Sequence, residues 1–270
     1  MGGQELNTLN FYLMFKSLTL LWLLLACTIT HSQSFVNATT DTVIIGKPKT
    51  GNLKFNYKQL IIPGVLIGYG TYALESGQLK SFNRQLQKEV TEDIDNKLTI
   101  DDFSQYVPMA SVFALYALGV KSKNTYKDQA LIMATSYLIL STTVFSLKSL
   151  THEMRPDGTT ANSFPSGHTA NAFAGAEFMW QEYKDESVWY GISGYLIATG
   201  TGAFRVYNNR HWLSDIAAGA GIGILSTKIA YWVSPFLKDK LFGQKDSNVS
   251  TSMMPFYNGS QVGVGMVVQF

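Results

Sequence analysis

The sequence predicts an all-α chain: an up-and-down helix bundle with a small C-terminal β-hairpin. Three observations predict it. Apolar segments of helical length recur between residues 60 and 235, separated by short polar stretches. Lys148, His168, Arg205 and His211 stand at the ends of those segments. The last stretch then changes period: Asn258-Gly259 is a two-residue hairpin turn signal. After it Val262, Val264, Met266, Val268 and Phe270 alternate with Gln261, Gly263, Gly265, Val267 and Gln269.

Composition narrows the class. The chain has 270 residues and no charged or Pro/Ser-rich linker, which suits one large domain. With 21 Lys+Arg against 19 Asp+Glu the net charge is +2, and no basic stripe with interleaved aromatics points to nucleic acid. Charged residues make up 15%, against roughly 25% in an average soluble domain. Mean hydropathy is +0.04. The one cysteine, Cys27, allows no intrachain disulfide. Without a Cys cluster or a His-Glu-x-x-His helix, no metal site is expected.

Taken in order, the chain opens with Lys16 and an apolar run, Leu18 to Ala26, with a polar exit. This is the pattern of a secretory signal peptide over residues 1–32, with cleavage near Ser32. A lipoprotein-type cleavage that leaves Cys27 lipidated is the alternative, and an uncleaved anchor a third. Residues 33–56 are polar with a short β-like piece, Thr42 to Ile45. The helical domain is expected over 57–236. Leu60–Leu74 is apolar; Ser81–Leu98 places Phe82, Leu86, Val90, Ile94 and Leu98 at helical spacing and reads as an amphipathic surface helix. Asp101-Asp102 can cap the next segment, with Pro108 in its first turn and Gly119 at its end. Ala130–Leu147 ends at Lys148, Gly167–Tyr183 follows a Pro-Ser-Gly-His tetrapeptide, and Trp189–Phe204 ends at Arg205. Trp212–Val233 starts at His211 and is expected to stop before Pro235. Residues 237–270 form a tail with the hairpin.

Three clusters carry the chemistry: Lys148-x6-Arg155-Pro156, Pro165-Ser166-Gly167-His168 and Arg205-x5-His211-x3-Asp215. In an up-and-down bundle the helix ends that bear them share one face. Lys148, Arg155 and Arg205 supply cations suited to a phosphoryl group, and Arg offers a planar donor fork. Ser166 and Gly167 lead into a helix whose free N–H groups bind an anion. His211 and Asp215, four apart, lie on one helix face. Asp215 holding one imidazole nitrogen leaves the other free, so His211 is the candidate nucleophile and His168 the candidate acid and base. Each residue singly is more simply a cap or a solvated charge; the six together are not explained that way. His152, Glu153 and Asp157 flank the first cluster and read as loop residues, with leaving-group contact as the alternative.

The three clusters resemble the motifs of the type 2 phosphatidic acid phosphatase (PAP2)/vanadium haloperoxidase superfamily, over roughly residues 60–235. The resemblance implies a metal-free phosphohistidine mechanism. It makes Lys148, Arg155, Ser166, Gly167 and Arg205 phosphate ligands, His168 the acid/base, His211 the nucleophile and Asp215 its orienter. The family's Ser before the third-motif Arg is here Phe204, which puts one phosphate contact in doubt. No cofactor is implied; vanadate is an inhibitor or, in a haloperoxidase, a cofactor.

Two settings fit the sequence: an enzyme in or on a bacterial membrane with its site facing the periplasm, and a soluble periplasmic form. Three functions follow. One is a lipid phosphatase acting on lipid A, phosphatidic acid or a polyprenyl diphosphate. The others are a broad-specificity acid phosphatase and a vanadate-dependent haloperoxidase.

Overall fold

The computed structural model describes residues 57–92 and 99–242, and the backbone alone at 250–257 and 262–269. The expected signal peptide, the extended segment over 33–56 and the turn at Asn258-Gly259 lie outside the described residues. After a single 3-10 turn, Tyr57–Leu60, the described helices are α1 (Ile61–Ala73), α2 (Gly77–Thr91), α3 (Ile100–Ser104), α4 (Val107–Ala117), α5 (Tyr126–Thr151), α6 (Gly167–Tyr183), α7 (Val188–Tyr207) and α8 (Leu213–Phe242). The all-α class holds. The segments Ser250–Tyr257 and Val262–Gln269 pair antiparallel, Tyr257 opposite Val262. The hairpin itself stays an expectation from the sequence.

Side-chain caps place the helix starts. Ser76 Oγ accepts from Leu79 N at 3.4 Å, which starts α2 at Gly77 rather than Ser81. Thr125 Oγ1 accepts from Asp128 N at 3.4 Å and starts α5 one turn earlier than its apolar run. At the other end α5 passes Lys148 and stops at His152, which is left-handed at φ 49. Helix α8 does not stop before Pro235; it runs to Phe242. A proline removes the N–H that would bond the carbonyl four residues back, here Tyr231. Ser234 Oγ donates to that carbonyl at 3.0 Å, so it keeps a partner and the helix continues.

Helices α6 and α8 form the centre; α6 packs on α7, α8 and α4, and α8 also packs on α1 and α5. Glycines let the two central helices meet. A Cβ on Gly219 would stand 2.5 Å from Ser166 O, and one on Gly223 would run into Ala170 O. The small-residue run in α8 is therefore a close helix contact. Below it Leu140, Val144, Ala170, Ala174 and Ile222 make one apolar cluster. Toward the C-terminal end of α6, Val112, Ile132, Phe178, Tyr183 and Tyr231 make another.

The two buried glutamates of α6 are paired. Glu177, in the middle of α6, is 2% exposed and ion-paired with Lys228 at 2.6 Å. Glu182 accepts from Asn124 N at 2.9 Å, from Gln129 Nε2 at 3.1 Å and from the Tyr231 hydroxyl. Helix α2 meets the bundle through amides, not through the apolar stripe: Asn83 and Gln87 are buried, and Phe82 is half exposed. Gln87 Nε2 donates to Val206 O at 2.8 Å, satisfying a carbonyl near the end of α7.

The outer surface is apolar. Helices α5 and α8 are long and apolar enough to cross a membrane. On α5 Leu138, Phe145 and Leu150 are about 70% exposed or more, and on α7 Trp189 and Leu196 likewise. A soluble domain rarely leaves so many large apolar side chains in water.

Gly223→Ala overpacks the α6–α8 contact and is expected to cost about 1–3 kcal/mol. Thermal unfolding in detergent should show a lower midpoint than wild type. Gly200→Ala, where an added methyl meets nothing within 4 Å, should unfold near wild type.

Candidate active site

Alternating helix direction brings the three clusters to one end of the bundle. Lys148 is in the last turn of α5, Ser166 caps α6, Arg205 is in the last turn of α7, and His211 immediately precedes α8. The 152–166 loop closes over that end. Lys148 Nζ donates to Asn162 O at 2.5 Å and reaches Ser163 O at 3.5 Å. Arg155 Nε donates to Asn162 Oδ1 at 2.9 Å. Two of the expected phosphate-binding cations thus also fasten the loop that carries Ser163 to Ser166.

Ser166 is fully buried. Its Oγ accepts from Thr169 N at 3.4 Å and its N–H donates to Asp215 O at 3.1 Å. A Cβ on Gly167 would meet only Val144, at 3.9 Å. Its lack of a side chain is therefore not demanded by packing within the protein.

His211 is 2% exposed, and its Nδ1 lies 3.5 Å from Asp215 Oδ2. Ser163, which the sequence reading did not single out, stands between them. Its Oγ donates to Asp215 Oδ2 at 2.5 Å and is 3.4 Å from His211 Nδ1. Trp212 N donates to the same carboxylate oxygen at 2.9 Å. Asp215 Oδ1 is buried with no hydrogen-bond partner among the described residues. Burial pushes the His211 imidazole down to about 4; the facing Asp215 opposes this, and Arg205 and Lys148 reinforce it. The ring is neutral near pH 7, with its Nδ1 side turned to Ser163 and Asp215. Arg155 is held below its ordinary value by burial and by Arg205 and Arg210. These mutual effects require the cations and His211 to share one neighbourhood.

Asp101 and Asp102 depart from the expected capping role. They lie within α3, and Asp101 is turned into the bundle, 1% exposed. Arg205 Nη1 donates to Asp101 Oδ2 at 2.5 Å, and Asn208 Nδ2 donates to Asp101 Oδ1 at 2.8 Å. Arg205 is itself 7% exposed and needs a buried counter-charge. Its Nε is buried with no hydrogen-bond partner among the described residues, so one donor of the fork is uncommitted. The neighbouring Asp102 Oδ1 is 2.9 Å from His168 Nε2. Two acids next to each other therefore serve two site residues. No spacing rule marks them, because the partners are 104 and 66 positions away.

Of the flanking residues, His152 is the exposed cap of α5, as expected of a loop position. Asp157 Oδ2 accepts from Arg210 Nη1 at 3.2 Å, and Asp157 Oδ1 from Thr159 N at 3.1 Å. Phe204 packs edge-on against Tyr207, their centroids 6.0 Å apart.

The depressed His211 value links stability to pH. The unfolded ring takes a proton near its ordinary 6.5 and the folded ring only near 4. The stability it contributes is present above 6.5 and is lost as pH falls toward 4. Unfolding midpoints between pH 7 and pH 4.5 should fall in wild type, and the fall should be smaller in His211→Gln.

Comparison with known proteins places the site in a wider setting. Residues 128–239 match the model of the PAP2 superfamily. Over 139 residues the chain is 40% identical to the Lipid A 1-phosphatase of Porphyromonas gingivalis, covering 51% of this chain and 31% of that protein. Over 76 residues it is 33% identical to the Bacitracin transport permease protein BcrC of Bacillus licheniformis, covering 28% of this chain and 36% of that one. The chain thus spans about a third of the length of the curated relatives it matches. Among solved structures, the first transmembrane PAP2 type phosphatidylglycerolphosphate phosphatase from Bacillus subtilis superposes with a TM-score of 0.50 at 18% identity, over 68% of this chain and 98% of that one. The family match spans Lys148 to Asp215 and so all three motif clusters: residues 128–239 are the part of the chain that is of PAP2 superfamily type, and the solved structure shares its helical architecture.

Proposed function

We propose that the chain is a membrane-bound phosphatase of lipid phosphates that works through a phosphohistidine, without a metal ion. The observation that carries this reading is the buried, neutral His211. It is held on its Nδ1 side by Ser163 and Asp215 and lies within the field of Lys148 and Arg205. Asp215 and Ser163 occupy Nδ1, which leaves Nε2 as the lone pair. Nε2 attacks phosphorus, the P–O bond to the lipid breaks, and the leaving alkoxide takes a proton from His168. His168 then deprotonates a water, whose oxygen attacks the phosphohistidine. The P–N bond breaks and inorganic phosphate leaves. Charge on the outer oxygens is met by Lys148, Arg155, the uncommitted Nε of Arg205 and the α6 N-terminus at Ser166 and Gly167.

Asp102 is a positioning residue in this scheme. Burial and then Arg205 lower the His168 imidazole; the Asp102 carboxylate beside it opposes them and so favours the protonated ring that the first step needs. The apolar flanks of α5, α7 and α8 support a substrate presented from a bilayer. The similarity to a protein named Lipid A 1-phosphatase makes lipid A the first substrate to test. The site is read as facing the periplasm.

Phosphate release from lipid A, phosphatidic acid, a polyprenyl diphosphate and a soluble aryl phosphate tests the reading. Faster turnover of a lipid is expected; preference for the aryl phosphate would favour a broad acid phosphatase. EDTA should leave the rate unchanged. His211→Ala should abolish release, His168→Ala should nearly do so, and Asp215→Asn should reduce it less than either. Wild-type release from His211→Ala would contradict the mechanism.

Asp102→Asn should move the basic limb of the pH–rate profile to lower pH, because the general acid then loses its proton sooner. An unmoved basic limb would remove Asp102 from the scheme.

A further inference from the structure

The phosphoryl centre recognises a phosphate, and every lipid phosphate carries one. Whatever separates one headgroup from another must lie beside that centre. One cavity, of about 70 Å³, is lined by Ala73 and Leu74, by Lys80, Asn83 and Arg84 of α2, by Glu153, and by Trp212 and Ser214 at the start of α8. It adjoins the site along the chain: Trp212 follows His211, Ser214 precedes Asp215, and Glu153 is two residues before Arg155. None of these lining residues was assigned a part in the reaction.

We propose that this cavity is a headgroup subsite for the sugar ring that bears the phosphate. The inference rests on the phosphatase reading above and deepens it. The lining mixes donors and acceptors. Neither Lys80 nor Arg84 forms a salt bridge of contact distance among the described residues, and Lys80 lies within the electrostatic reach of Glu153. Asn83, 5% exposed, donates through Nδ2 to Ser214 Oγ at 2.9 Å, and its Oδ1 has no hydrogen-bond partner among the described residues. A buried amide oxygen without a partner is costly and is met by a hydroxyl or N–H. Glu153 supplies a second acceptor. Trp212 is fixed by its Nε1–H, which donates to Met154 O at 2.9 Å.

This set fits alternating hydroxyls on a ring with an apolar face. A fully ionised second phosphate would offer no donor to Asn83 Oδ1 and would face the Glu153 carboxylate beside Lys80 and Arg84. Glycerol presents fewer hydroxyls and no ring, and a polyprenyl chain presents none. At about 70 Å³ the cavity suits a ring edge with its hydroxyls and not an acyl chain.

The test measures binding in detergent with full-length His211→Ala protein, which does not turn over. Glucosamine 1-phosphate and glycerol 3-phosphate are titrated by calorimetry. The sugar phosphate is expected to bind about tenfold more tightly. Glu153→Gln and Lys80→Ala in the same background should erase that preference while glycerol 3-phosphate affinity stays within about twofold, which also reports an intact fold. Equal affinities in the parent protein, a preference that survives both changes, or loss of both ligands in both variants would overturn the subsite. Absent lipid turnover by wild type, with the binding preference intact, would sink only the catalytic reading.

Discussion

Asp215 is the knot on which the active end depends. Its backbone carbonyl accepts from Ser166 N, and its Oδ2 accepts from Ser163 Oγ and Trp212 N while facing His211. One residue thus joins the start of α8, the cap of α6 and the loop from α5. Its carboxylate is fully buried, so removing it would leave the Ser163 hydroxyl and the Trp212 N–H without that acceptor. The glycines of α8 make the knot possible. Gly219 lets the helix lie directly under Ser166, so backbone meets backbone where a larger residue would wedge the two helices apart.

Much of this was legible in the sequence because helix ends announce themselves. Lys148, Arg205 and His211 stand where apolar runs end or begin, and up-and-down packing brings such ends together. The spacing of His211 and Asp215 pointed to a pair, and the two do face each other at 3.5 Å, but not as neighbours on one helix face: α8 begins at Leu213 and His211 lies two residues before it. Asp101, Asp102 and Ser163 were not legible, for a physical reason. Each matters through a partner that only tertiary packing supplies, and an acidic pair before an apolar run reads equally well as a cap. Pro235 misled for a related reason: the side chain that compensates for it, Ser234, carries no signal in a pattern of apolar positions. The stripe on α2 misled in the opposite sense. Its amides, not its apolar residues, meet the bundle, because what they meet is a carbonyl and a hydroxyl.

The two ends of the bundle use buried charge differently. Away from the catalytic end, the carboxylates of Glu177 and Glu182 are satisfied by hydroxyls, amides and Lys228. At the catalytic end, Arg205 Nε and Asp215 Oδ1 are left uncommitted. An interior that pairs its charges in one place and leaves donors and acceptors open in another separates framework from working surface.

The ion pair between Asp101 and Arg205 sets the extent of the working unit. The family match begins at residue 128, yet the counter-charge of a catalytic-end guanidinium lies 27 residues earlier, on the short helix α3. Stripping a buried pair of one partner costs about 3–5 kcal/mol. A trimmed version cut to the matched segment would therefore keep every motif residue and still hold a stranded cation in its interior. The smallest self-sufficient piece of this chain must reach back far enough to include α3.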